Sequence, residues 1–218
     1  MPQKRAPARS VAKTRSHNGF WIDHAAIGED DYDWLASAER LTLWNVQVPP
    51  GFLARLAKLW WLDIRGGSAR DLNFARGAGQ LRYLAINQVR GMQDLSMVSE
   101  MLSLRYIDFY GLPKVTSLPS FSAHNSLEHA SLGQMQGLSS VRGVLDAPKL
   151  RELQFNKRIN FNPADVEEIA SHPTLRRFRW FAEDVPDKVW VPVVERIGLP
   201  EVTTHFPEEW FGLSVSTG

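Results

Sequence analysis

Large aliphatic residues recur along the chain in one short pattern. Leu59-Trp60-Trp61-Leu62-Asp63-Ile64, Leu81-Arg82-Tyr83-Leu84-Ala85-Ile86 and Leu104-Arg105-Tyr106-Ile107-Asp108-Phe109 all follow L-x-x-L-x-L, with Ile or Phe replacing some leucines. The pattern returns at Leu127, Ala130 and Leu132, at Leu150, Leu153 and Phe155, and at Leu175, Phe178 and Trp180. A weaker first copy runs Ala38, Leu41 and Leu43, and Phe20 and Ile22 stand one period earlier as a degenerate eighth. The seven starts, at 38, 59, 81, 104, 127, 150 and 175, lie 21 to 25 residues apart. Side chains alternate between the faces of a strand, so L-x-L predicts a short strand with one buried face. A single strand with its return leg cannot cover that face, whereas stacked copies can.

The return legs carry a different period. Apolar residues fall at Leu112, Val115, Leu118 and Phe121, and again at Met135, Leu138, Val141, Val144 and Ala147. A step of three drifts around an α-helix but stays aligned in 3₁₀ or polyproline II geometry. Pro113, Pro119 and Pro148, with Gly133, Gly137 and Gly143, also oppose long helices there. Two legs differ. Asn162-Pro163-Ala164-Asp165 reads as an N-cap, a proline at the first helical position and an acid in the first turn, which predicts an α-helix. The stretch from Gly51 to Leu59 is also helix-like, with Phe52, Leu56 and Leu59 on one side.

Iterated over residues 38–181, the L-x-x-L-x-L motif resembles the leucine-rich repeat family, in its cysteine-free, intracellular bacterial form. The resemblance implies an α/β repeat solenoid, with a short parallel β-sheet on the concave face and mostly 3₁₀ or extended return legs. The family usually places Asn or Cys at the ninth position, whose polar side chain ties neighbouring loops. Here Val46, Gly67, Val89, Leu112, Met135 and Arg158 stand there, so the turns are expected to close through backbone bonds and apolar packing. Residues 17–37, with Phe20, Trp21, Trp34 and Leu35, are expected to form an N-terminal cap. Residues 182–218, with Val189, Trp190, Val193, Val194, Ile197, Trp210 and Phe211, are expected to cap the other end.

With leucines inward, the third, fifth and seventh positions of each repeat face out from the sheet in three rows. The third positions are Arg40, Trp61, Tyr83, Tyr106, His129, Glu152 and Arg177. The fifth are Thr42, Asp63, Ala85, Asp108, Ser131, Gln154 and Arg179, and the seventh begin Trp44, Arg65, Asn87 and Tyr110. Rigid aromatics with polar tips dominate binding hot spots, although cross-strand stacking also places them on sheets. The expected partner-binding set is Trp44, Trp61, Asp63, Arg65, Tyr83, Asn87, Tyr106, Asp108, Tyr110, His129 and Glu152. Mixed charge around an aromatic centre suits a protein partner, and nucleic acid is disfavoured because no basic stripe forms.

Composition narrows the classes further. Of 218 residues 44% are hydrophobic, enough for a core, and there is no cysteine, hence no disulfide and no thiolate metal site. The net charge of +1 conceals an asymmetry: residues 1–16 carry Lys4, Arg5, Arg9, Lys13 and Arg15 and no acid, which leaves the body net acidic. That segment is expected to be a disordered basic tail, solvated or reaching for nucleic acid. No apolar run is long enough for a membrane span and the N-terminus lacks an apolar signal core, so a cytoplasmic monomer is expected.

Phosphate loops, zinc-helix motifs and dinucleotide fingerprints are missing, the histidines lack ligand spacing, and neither metal nor cofactor is expected. Asp108, His129 and Ser131 fall within a small area, but an open sheet supplies no oxyanion donors. The expected function is non-catalytic binding of another protein through the aromatic face, regulating or neutralising it by analogy with immunity proteins. A hydrolase at that Ser-His-Asp patch and nucleic-acid contact through the tail are the alternatives.

Overall fold

The computed structural model describes residues 5–203 and 206–213. Lys4, His205 and the last residues of the expected C-terminal cap lie outside that range. The described chain opens with β1 (Ala6–Pro7), a single helical turn α1 (Ala8–Val11) and β2 (Lys13–Arg15), which turns into β3 (Gly19–Asp23). After β4 (Ala25–Ala26) and α2 (Tyr32–Leu35) come seven repeats of strand and leg. Their strands are β5 (Arg40–Trp44), β6 (Trp61–Arg65), β7 (Tyr83–Asn87), β8 (Tyr106–Tyr110), β9 (His129–Met135), β10 (Glu152–Ile159) and β11 (Arg177–Phe181). All pair in parallel with their neighbours, β3 joins before β5, and β2 closes that edge antiparallel.

The register aligns equivalent repeat positions across the sheet. Leu41, Leu62, Leu84, Ile107, Ala130, Leu153 and Phe178 are direct partners in adjacent strands. These residues are buried in one continuous core with the leg residues Leu53, Leu72, Val98, Val115, Val141 and Ile169. The degenerate copy is part of the same array, since Phe20 pairs with Leu41 and Ile22 with Leu43.

Seven strands, β3 and β5 to β10, each reach a residue with left-handed backbone after the fifth strand residue: His24, Asn45, Gly66, Gln88, Gly111, Gln134 and Lys157 have φ between 46° and 68°. Their amides extend the sheet, as in Asn45 N to Arg65 O at 2.7 Å and Gln88 N to Tyr110 O at 2.8 Å. The sharp turn is therefore made at the eighth position, by backbone pairing. Side chains that do tie neighbouring legs are scattered. Gln80 donates to the carbonyls of Leu53 and Leu56, while His124 and His172 contact those of Val98 and Leu145 at 3.1 and 2.8 Å.

The legs carry 3₁₀ turns at Leu53–Arg55, Asn73–Ala75 and Ser96–Glu100, a helical turn α3 (Arg142–Leu145) and one longer helix, α4 (Pro163–Ala170). Only the 3₁₀ turn forms in the helix-like Gly51–Leu59 stretch. In α4, Asn162 accepts from Asp165 N at 3.0 Å, and the buried Asp165 carboxylate accepts from Asn162 N and Ser140 Oγ, pinning the helix start to the preceding leg.

The two flanks differ from expectation. Arg5–Arg15 is ordered where a disordered tail was expected. Ala6–Pro7 pairs with Ala25–Ala26, Ala8 is fully buried, Lys13–Arg15 pairs with Gly19–Trp21, and Arg5 bonds the Asn45 side chain at 2.9 Å. The reason is that an edge strand offers unpaired backbone groups, which any sequence able to extend can satisfy. Positive charge on outward side chains does not oppose that. At the other end, α5 (Asp187–Ile197) packs on β11 and α4, but α6 (Pro207–Trp210) leaves the end of the array and lies across the sheet.

Candidate functional site

The outward rows assemble in the register the repeats imply: Arg40, Trp61, Tyr83, Tyr106, His129, Glu152 and Arg177 are successive partners. Their rings stack strand on strand. Trp61 and Tyr83 centroids are 3.9 Å apart, Tyr83 and Tyr106 5.3 Å in edge-to-face contact, and Tyr106 and His129 4.0 Å.

This row is not open to solvent, which corrects the expectation of an exposed aromatic patch. Trp61, Tyr83 and Tyr106 retain at most 4% exposure and His129 none. The cover is the segment 206–213. Trp210 lies over Tyr106 and His129, with centroids at 5.7 and 6.4 Å, and Phe211 meets Trp60 and Trp61 at 5.1 and 5.8 Å. Glu208 pairs with Arg40 at 2.9 Å, Arg40 stacks on Trp61 at 4.1 Å, and Arg105 lies over Trp210 at 5.0 Å. Arg40, Arg105, Glu208, Trp210 and Phe211 were missed as site residues. The signal for them was an acidic-aromatic cluster beyond the last repeat, which composition alone assigns to an end cap.

The seventh-position row stays accessible. Trp44 is 40% exposed, and Arg65, Asn87 and Tyr110 are partly exposed beside one another. Trp21, one strand earlier, meets Trp44 at 5.8 Å and Arg65 at 5.5 Å, so it belongs to this surface although the sequence suggested only a cap role. Gly133 ends the aromatic part: a Cβ there would stand 2.7 Å from the Tyr110 ring and 2.6 Å from Asn156 O.

The fifth-position row holds the charged chemistry. Asp63 is buried, accepts from Arg65 Nε at 2.8 Å through Oδ2, and has no partner on Oδ1. Burial raises its carboxyl above the usual range in spite of Arg65. Asp108, separated from it by Ala85, is pushed up to about 6 by burial, against the lowering effect of its hydrogen bond with Ser131. Burial, with a second push from the Asp108 carboxylate, raises the phenol of both Tyr83 and Tyr106. A cavity of about 540 Å³ opens here, lined by Trp21, Arg40, Asp63, Arg65, Asp108 and Glu208 among others.

The Ser-His-Asp patch does not form a relay. His129 directs Nδ1 to Glu152 at 3.0 Å and leaves Nε2 buried without a partner, while Ser131 accepts from Asn156 Nδ2 at 2.9 Å. Burial holds the His129 imidazole below its ordinary pKa despite Glu152. Among the described residues no group of three or more acidic or histidine side chains could hold a metal ion, and no helix is long and apolar enough to cross a membrane.

A stack of parallel strands bearing L-x-x-L-x-L, joined by left-handed turns and short legs, is a leucine-rich repeat-type fold. Internalin C2 from Listeria monocytogenes has a similar structure, with 15% sequence identity and a TM-score of 0.53, covering 79% of this chain and 76% of that one. Human 5T4 covers 83% of both chains at 18% identity, with a TM-score of 0.48. No protein-family model and no curated protein sequence matches the chain.

Proposed function

We propose that the chain is a non-catalytic protein-binding module, cytoplasmic and monomeric, that neutralises or regulates one partner. The carrying observation is the open row of Trp44, Arg65, Asn87 and Tyr110, joined by Trp21 and bordered by Asp108. Aromatic rings are interleaved there with both signs of charge on a rigid sheet, the composition that suits a protein partner. The frame holds these groups at fixed spacing, so binding requires little ordering of the receptor side. Glu152 flanks the row, and its carboxylate is engaged by His129. Neither a cofactor nor a metal has a role in this reading, and the serine patch lacks the contacts that hydrolysis needs.

The test is capture of the partner from the native host, then affinity measurement with a Trp44→Ala/Tyr110→Ala variant. Loss of at least about tenfold in affinity with unchanged melting is expected for two central aromatics. Unaltered affinity would place the contact on the legs or ends instead.

A further inference from the structure

Two rows of one sheet face differ in what covers them, and the covering segment has the properties of a bound peptide. Its backbone hydrogen bonds are internal: Trp210 N to Phe206 O, Phe211 N to Pro207 O, Gly212 N to Glu209 O and Leu213 N to Glu208 O. It contacts the sheet through Glu208, Trp210, Phe211 and Leu213, and none of the residues of α6 is buried. The floor beneath it is almost fully buried, so the burial is one-sided. Side-chain contacts without backbone pairing put such a segment at the low end of local stability. The fit is also incomplete. His129 Nε2 and Asp63 Oδ1 are buried acceptors without donors; Nδ1 carries the imidazole proton, because it faces the Glu152 carboxylate.

We infer that the aromatic floor Trp61–Tyr83–Tyr106–His129 is a recognition groove for a short acidic-aromatic segment of a partner protein, and that residues 206–213 are its resident competitor. The inference rests on the protein-binding reading and names the chemistry of that partner. An acidic side chain meets Arg40, two consecutive aromatic rings lie on the floor beneath Arg105, and hydrogen-bond donors meet His129 Nε2 and Asp63 Oδ1. The resident segment defines the first two of these features, and the orphaned acceptors define the third. Tethering gives the resident segment an effective concentration on the order of millimolar, so an incoming segment binds with an affinity reduced by the fraction of open groove.

The experiment uses the full chain and a labelled synthetic peptide with the sequence of residues 206–213, followed by fluorescence anisotropy. A Trp210→Ala/Phe211→Ala variant is expected to bind the peptide at least about tenfold more tightly than the unaltered chain. Adding Arg40→Ala to that variant, or replacing both glutamates of the peptide by lysine, is expected to weaken binding at least about fivefold. Glu208→Ala, which loosens the segment but keeps its rings, gives an intermediate affinity and serves if the double variant does not fold. The inference is overturned if a folded variant shows no saturable peptide binding, or if the charge-reversed peptide binds equally well. It is also overturned if the double variant melts as low as a Leu84→Ala/Ile107→Ala core variant, because the segment is then core. Loss of peptide binding leaves the Trp44/Tyr110 result unaffected, so the two readings fail separately.

Discussion

The third- and seventh-position rows are made by the same strands, point to the same side and are both rich in aromatics, yet one is interior and the other surface. Tyr83 and Tyr106 are buried while Tyr110 remains partly open, although Tyr106 and Tyr110 lie on the same strand. Within the repeats Arg40 and Trp60 pack on Trp61, but Tyr83 and Tyr106 are covered from outside them. That cover is Trp210 and Phe211, about a hundred residues further along the chain. Strand alternation determines which face a residue takes, and a distant segment determines whether that face meets water.

The sharpest challenge to this contrast is mutational. Leu84→Ala with Ile107→Ala, partners on the inner face, should cost about 4 kcal/mol or more in a denaturant titration, since each leaves a cavity in the stacked core. Tyr83→Ala should cost about 2–4 kcal/mol, because the ring is packed between Trp61, Tyr106 and Phe211. Tyr110→Ala should cost less than about 1 kcal/mol; equal losses at the two tyrosines would dissolve the contrast between the rows.

Removing the cover gives a finer test. Trp210→Ala/Phe211→Ala should make Trp61 more accessible to acrylamide quenching, read as the difference from the same variant carrying Trp61→Phe, with a stability loss of about 1–2 kcal/mol, because both rings are only half-buried. Unchanged quenching of Trp61 would mean that the floor is shielded by something other than the segment.

The smallest effect concerns pH. Asp108 titrates near 6 in the fold against about 3.9 in the unfolded chain, so the folded state binds more protons between those values. Stability from this group is present at low pH and is lost as pH rises through about 6. Asp108→Asn should therefore be more stable than the unaltered chain at pH 8, by on the order of 1 kcal/mol, with the gain vanishing below about pH 4. His129 works in the opposite sense, since its lowered pKa makes the fold lose stability as pH falls below about 6.5. Urea titrations of the two chains at pH 4, 6 and 8 separate the contributions.

The array was legible in the sequence because its signal is local and repeated. Each L-x-x-L-x-L names its inward residues, and equal spacing aligns them, which is why the ladders from Arg40 to Arg177 follow from the spacing alone. The cap of α4 was legible for the same reason: Asn162, Pro163 and Asp165 act within one turn. What the repeats leave undecided are contacts made once, between segments with no common period. Basic side chains say nothing about whether backbone pairs with an edge, so the order of Lys13–Arg15 was hidden. The path from α5 back over the sheet was hidden too, because Glu208, Trp210 and Phe211 would serve an end cap equally well. Alternation along a strand depends on neighbouring residues and is decided by sequence; solvent exposure depends on every segment that can reach the surface, and only the tertiary structure decides it.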